Sequence, residues 1–78
     1  MPMNKYVLNS TPQKITDGTK LGVAQGMVKR DFYFAEGATM PSKDAYIYNC
    51  EVSFPVGAVI WAWSSDVDPV TVSVMTVG

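Results

Sequence analysis

Alternation of apolar and polar side chains at every second position is the dominant pattern of this chain, and it is clearest over residues 46–54. Successive side chains of an extended strand point to opposite faces of a sheet. One face of this segment carries Tyr46, Tyr48, Cys50, Val52 and Phe54, and the other carries Ile47, Asn49, Glu51 and Ser53. The pattern predicts one continuous strand whose first face lies in the core.

Other segments with strand-like alternation or composition cover much of the remaining chain. They are residues 6–9, 13–16, 21–24, 27–35, 58–63 and 70–77. Segments 6–9 and 13–16 flank Ser10-Thr11-Pro12, which fits a bent strand or a hairpin. Segment 58–63 is apolar on both faces, as in a central strand. No window of eleven or more residues has an apolar stripe at helical spacing without also containing a Gly or a Pro or being rich in β-branched residues.

Turn-forming residues separate these segments at intervals of about ten residues. The turns are Asp17-Gly18, Pro55-Val56-Gly57 and Ser64-Ser65-Asp66, and residues 37–45 form the longest predicted loop. We therefore predict an all-β fold, a small antiparallel β-sandwich or barrel of about six or seven short strands, in a single domain over residues 1–78.

Composition indicates a protein that gains stability from contacts with other subunits. Hydrophobic residues make up 47% of the 78 residues and charged residues only 17%, below the roughly 25% that is usual. A domain of this size buries only about 60% of the surface of its unfolded chain. The single cysteine excludes an internal disulfide, and the absence of histidine removes most zinc and haem sites. We expect no metal or cofactor, which leaves oligomerisation as the source of extra stability.

Charge and hydropathy argue against two classes of partner. Six Lys and Arg residues against seven Asp and Glu residues give a net charge of −1, which supplies no positive field for nucleic acid. The longest apolar stretch, residues 56–63, is much shorter than the roughly 20 residues of a membrane helix. Residues 1–5 lack the features of a signal peptide. We expect no nucleic acid and no membrane as partners, and synthesis in the cytoplasm.

The residue types that enzymes use are sparse, and no catalytic set can be assembled. Serine, threonine and cysteine nucleophiles need a base, and the usual triads need histidine. Cys50 is expected to pack as a small hydrophobe. Asp66 and Asp68 provide too few ligands for calcium and are typical of a turn. We therefore predict that the protein is not an enzyme.

Two groups of aromatic residues keep a binding function open. Trp61 and Trp63 share one face of a strand, where they form either part of the core or a platform for a sugar or a protein. Lys29-Arg30 followed by Phe32 places positive charges beside an aromatic ring, a combination that proteins use to bind single-stranded nucleic acid. The negative charges of Asp31 and Glu36 neutralise the positive charges locally. A small β-barrel that binds sugar or nucleic acid is therefore the alternative from a different class.

The order of several short segments resembles a group of small β-rich virion proteins of tailed bacteriophages over about two thirds of the chain. The segments are Tyr33-Phe34-Ala35-Glu36-Gly37, Pro55-Val56-Gly57, Ile60-Trp61-Ala62-Trp63-Ser64-Ser65 and Val70-Thr71-Val72-Ser73-Val74. The resemblance implies a structural protein of the virion, a capsid decoration or cement subunit that stabilises contacts between major capsid subunits. A tail or head-to-tail connector component is the alternative. The resemblance assigns no functional residue to this chain.

We also expect the protein to self-associate or to dock as a repeated subunit. If the last strand lies at a sheet edge, its free N–H and C=O groups can pair with a neighbouring chain. The opposing possibility is that this strand is paired on both sides within its own sheet. The candidate interface residues are Val70, Val72, Ser73, Met75 and Val77 of this strand, with Met40 and Pro41 of the long loop.

Overall fold

The computed structural model describes residues 3–77, which form eight β-strands and one short 3-10 turn at Met27–Lys29. The strands are β1 (Met3–Leu8), β2 (Gln13–Lys14), β3 (Leu21–Gly26), β4 (Phe32–Glu36), β5 (Ile47–Asn49), β6 (Glu51–Phe54), β7 (Ile60–Trp63) and β8 (Val70–Val77). Sheet A has the strand order β1-β8-β3-β6, and sheet B has the order β2-β7-β4-β5. All strand pairs are antiparallel. The prediction of a small all-β sandwich is confirmed.

The core lies between the two sheets, where alternate residues of each strand meet. Sheet A contributes Leu8, Ala24, Phe54, Val70, Val72 and Val74, and sheet B and its adjoining loops contribute Ile15, Phe32, Phe34, Ala58, Ile60 and Ala62. Phe32 is completely buried, and burial of a ring of this size stabilises the fold by about 1.5–3 kcal/mol. Within residues 3–77, no helix has the length and apolar character needed to span a membrane.

Strand β8 lies in the interior of sheet A, so of the two possibilities left open for this strand, pairing on both sides within its own sheet is the one observed and the sheet edge is not. It pairs with β1 from Val70 to Met75 and with β3 from Val72 to Val77. Val70 and Val72, two of the predicted interface residues, are buried in the core. The apolar face of β8 is therefore explained by the core of its own sandwich, and its backbone groups are not free along most of the strand.

Residues 46–54 do not form one strand, because the chain passes from sheet B to sheet A at Cys50. Strand β5 pairs with β4, whereas β6 pairs with β3. The alternation continues through the crossing, but a direction in space that is outward for one sheet is inward for the other. Val52 and Phe54 accordingly face the core, whereas Tyr46 and Tyr48 lie on the outer side of sheet B and are exposed. The prediction that all members of this face are core residues is wrong for the two tyrosines.

The predicted strand over residues 27–35 begins later than its pattern indicates. Met27–Lys29 form the 3-10 turn, in which Val28 and Lys29 have positive φ angles of 51° and 57°. A Cβ atom on the preceding Gly26 would lie 2.0 Å from the Arg30 carbonyl oxygen. The chain folds back so tightly at this glycine that a strand cannot form before Phe32.

For residues 6–16 the sequence predicted either a bent strand or a hairpin, and the structure has the bend without the hairpin. Strands β1 and β2 belong to different sheets and do not pair with each other. The corner between them is an Asx turn, in which the Asn9 Oδ1 atom accepts a hydrogen bond from the Thr11 backbone N–H at 2.9 Å. The Ser64 N–H donates to the Asn9 carbonyl at 2.7 Å, which ties the corner to the end of β7.

Candidate functional site

The outer face of sheet B carries a cluster of large rings, which we call the aromatic surface. It consists of Tyr33, Tyr46, Tyr48, Trp61 and Trp63. Tyr33 of β4 lies directly between Trp63 of β7 and Tyr48 of β5 in the strand register. Cross-strand partners share a face, so the register alone brings these three rings together.

The rings pack on one another in geometries that favour aromatic attraction. The Tyr33 ring is stacked on Trp63 with centroids 6.0 Å apart and lies 4.6 Å from the Tyr48 ring in a tilted arrangement. Tyr46 packs edge-on against both Tyr33 and Trp63, at 4.9 Å and 6.2 Å. Pairs of this kind contribute about 0.5–1.5 kcal/mol beyond the area they bury, so the tyrosine rings are held in place before any partner binds.

The cluster has a buried floor and an exposed upper layer. Trp63 is only 4% exposed, whereas Tyr46 and Tyr48 are 53% and 55% exposed. Trp63 does not belong to the core cluster between the sheets. The sequence left open whether this tryptophan is a core residue or a platform, and the structure makes it the support beneath the tyrosines instead.

Trp61, two residues along the same strand, is held at the edge of the aromatic surface by a hydrogen bond. Its indole N–H donates to the Gly37 carbonyl at 3.0 Å, and the Lys14 ammonium lies 6.0 Å from the ring centroid. A cation at this distance is attracted by the face of an indole. Trp61 therefore combines a partly buried ring with a neighbouring positive charge.

The loop formed by residues 37–46 is fixed at its start and near its end. The Gly37 N–H donates to the Val59 carbonyl at 3.0 Å, and the Lys43 ammonium donates to the Ser10 carbonyl at 2.8 Å. Tyr46, at the end of this loop, places its ring over Trp63. These anchors hold an otherwise long loop in the position that completes the aromatic surface.

The two aspartates of the 64–69 turn have separate partners and do not converge on a metal site. Asp66 accepts hydrogen bonds from the Ser10 backbone N–H at 3.1 Å and from the Ser10 hydroxyl at 2.9 Å. These bonds, with the nearby charge of Lys43, lower the pKa of Asp66. Asp68 forms an ion pair with Arg30 instead. Asp66 and Val67 form a turn between Ser65 and Asp68, which are joined by an isolated antiparallel bridge, so the turn interpretation is confirmed. Among residues 3–77 no cluster of three metal-ligating side chains occurs.

The remaining predicted interface residues fall on two other parts of the surface. Ser73, Met75 and Val77 alternate with the buried valines of β8 and therefore lie on the outer face of sheet A. Met40 and Pro41 belong to the 37–46 loop, where Met40 is exposed and Pro41 is half-buried. The residues proposed together from the sequence thus do not form one surface.

Two further sequence candidates have environments that differ from those expected. Phe32, which was the aromatic member of the basic segment beginning at Lys29, is completely buried and has no face free for a nucleic acid base. Cys50 is half-buried at the crossing between the sheets, not in the middle of a strand.

Sequence reasoning identified the shared face of Trp61 and Trp63 but missed Tyr33, Tyr46 and Tyr48 as surface residues. A signal was present in the change of residue type along residues 46–54, where tyrosines are followed by valine and phenylalanine on the same side of the chain. Tyrosine suits a surface that is apolar in its ring and polar at its hydroxyl.

Comparisons of the chain with protein-family models, with curated proteins and with solved structures find no match.

Proposed function

We propose that this protein is a non-enzymatic structural subunit of a bacteriophage particle, a capsid decoration protein that docks on neighbouring virion subunits through the aromatic surface. The resemblance to small β-rich virion proteins supplies the class of protein. The observation that carries the docking site is the layer of half-exposed tyrosine rings on buried Trp63. The protein would be made in the host cytoplasm and incorporated into the virion in repeated copies.

The physical properties of this surface suit a protein partner. Tyrosine and tryptophan are enriched at the energetically dominant positions of protein interfaces. Because Tyr33 and Tyr46 already pack on Trp63 and on each other, little side-chain entropy remains to be lost when a partner covers them. A low content of charged residues also reduces the cost of desolvating the surface.

Purified particles test the proposed location. We expect the protein in the particle at hundreds of copies, measured by quantitative mass spectrometry, and on the outer shell by electron microscopy. A dozen or fewer copies at one vertex would assign it to the tail or connector. Complete absence from the particle would contradict the proposal.

A pair of variants tests the docking surface. Tyr48→Ala should weaken binding to particles that lack the protein by at least about tenfold, the effect typical of a central interface aromatic. Val56→Ala is the matched control, because Val56 is exposed to a similar degree but lies in the turn between β6 and β7. Both variants should keep the circular dichroism spectrum of the parent. Equal binding by the two variants would place the interface elsewhere.

A sugar-binding module is the second candidate, and the half-exposed rings of Tyr46 and Tyr48 are the observation that favours it. Flat aromatic rings can stack on the apolar face of a sugar. Screening of the isolated protein against a glycan array separates the two functions. Micromolar or tighter binding that is lost in Tyr48→Ala, without binding to particles, would support the sugar module and overturn the structural proposal.

A further inference from the structure

The outer face of sheet A differs from the aromatic surface, because its centre is aliphatic and its two edges are charged. Its centre is formed by Met75 of β8 and Val23 of β3, which are paired in the register and half-buried. Leu21 and Val77 are the next pair along the same strands, and both are exposed. These four side chains form an apolar stripe along the middle of the face.

Two opposite charges lie at the two edges of this face, in one row across the sheet. The register aligns Lys5 of β1 with Ser73, Ser73 with Gln25, and Gln25 with Glu51 of β6. Among the described strand residues of the face, Lys5 and Glu51 are the charged ones. Lys29 of the 3-10 turn lines a pocket with Ser73 and Gln25 beside this row. With three strand spacings of about 4.8 Å between them, their Cα atoms are separated by about 14 Å, too far for an ion pair within one molecule.

This placement makes the face complementary to itself under one particular symmetry. A two-fold axis that runs parallel to the strands, between β8 and β3, exchanges the left and right edges of the sheet and leaves each row in place. Lys5 of one copy then lies opposite Glu51 of the other, and Met75 lies opposite Val23. A two-fold axis across the strands would place each edge strand over its own copy, so that Lys5 of one copy and Glu51 of the other would lie at opposite edges.

From this complementarity we propose that the outer face of sheet A binds the same face of a second copy of this chain, with the strands of the two sheets aligned. Aligned packing is a common arrangement of stacked sheets, and an isologous contact of this kind closes as a dimer. A face of four strands and about six residues covers only about 20 Å by 20 Å. Standard interfaces bury about 800 Å² per partner, so we expect a weak dimer that forms at high micromolar concentration.

Charge reversal provides a direct test by sedimentation velocity across a concentration series up to about 1 mM. Lys5→Glu and Glu51→Lys should each weaken dimerisation by about tenfold, because each creates two pairs of like charges across the interface. The double variant Lys5→Glu/Glu51→Lys restores both pairs with reversed polarity and should dimerise within about threefold of the parent.

Lys20→Glu is the matched control, since it makes the same change of charge at an exposed position that precedes β3 and lies off the face. It should leave the dimer unchanged. Exposed charge substitutions of this type alter stability little, and a thermal melt of each variant confirms that it is folded.

A parent protein that stays monomeric up to 1 mM would overturn the proposal, as would single variants that dimerise like the parent or a double variant that stays as weak as the single ones. Concentration-dependent NMR shifts should map to Val23, Ser73 and Met75, and shifts confined to Tyr46 and Tyr48 would contradict it. The measurement needs no phage particle. Its outcome is therefore independent of the docking proposed for the aromatic surface.

Discussion

The two outer faces of the sandwich are built from the same alternation of inward and outward side chains, but they differ in how far their outward side chains are buried. On sheet B, a tryptophan that points away from the core is 4% exposed, because Tyr33 and Tyr46 pack over it. On sheet A, the outward side chains Leu21 and Val77 are each about half exposed to solvent. Sheet B is therefore packed on both sides and sheet A on one. Burial in this small domain therefore depends on the core between the sheets and also on an outer layer of rings, to which β4 contributes Tyr33 and the 37–46 loop contributes Tyr46.

The largest expected effect tests whether this outer layer stabilises the fold. Trp63→Ala removes the buried floor of the aromatic surface and should lower the free energy of unfolding by about 3–5 kcal/mol. Val23→Ala on the outer face of sheet A should cost about 1 kcal/mol, because that side chain is only half-buried and smaller. Urea denaturation of both variants measures the difference. Similar costs for the two would show that the outer sides of the sheets are equivalent.

A smaller effect tests the hydrogen bond that joins the start of the loop to sheet B. Trp61→Phe keeps a ring on the strand but removes the indole N–H that donates to the Gly37 carbonyl. We expect a loss of about 1 kcal/mol in the free energy of unfolding, the usual value for one hydrogen bond. Backbone amides of residues 37–46 should also exchange hydrogen faster. If their exchange is unchanged, the loop is held by its other contacts.

The smallest effect concerns Asp66, which binds Ser10, the residue whose carbonyl accepts the hydrogen bond from Lys43 near the end of the loop. This effect depends on pH. Hydrogen bonds from Ser10 and the charge of Lys43 lower the pKa of Asp66 in the folded state. The carboxylate therefore adds stability above the pKa of the unfolded chain, near 3.9, and this contribution disappears as the pH falls through the lower folded value. Asp66→Asn should melt earlier than the parent at pH 7, and the two melting temperatures should converge toward pH 2.

Asp44→Asn is the control for this pH dependence. Asp44 is an exposed aspartate of the 37–46 loop, and among residues 3–77 its carboxylate accepts no hydrogen bond. Its melting temperature should differ from that of the parent by the same small amount at both pH values. A difference between Asp66→Asn and the parent that persists unchanged at pH 2 would contradict the role given to the ionised carboxylate.

Local pattern was enough to locate most strands but not to assign their neighbours. Residues 58–63 were expected to form a central strand, and β7 does lie between β2 and β4. Residues 70–77 were correctly expected to form the last strand, yet their position inside sheet A depends on pairing with β1, which lies at the opposite end of the chain. Such long-range pairing leaves no mark on the sequence of either strand. The candidate site shows the same division, since the shared face of Trp61 and Trp63 follows from their spacing, whereas the contribution of Tyr46 follows from the path of a loop.

By itself, the sequence determined that this chain forms short strands, which side chains share a strand face and where the main turns lie, because all of these follow from interactions between residues close along the chain. Only the tertiary structure decided which of those faces became core and which became surface. At Cys50 the chain crosses between the sheets, so one unbroken face is exposed at Tyr48 and buried at Phe54. Alternation defines the two sides of a strand, but the position of the opposing sheet decides which side is the inside.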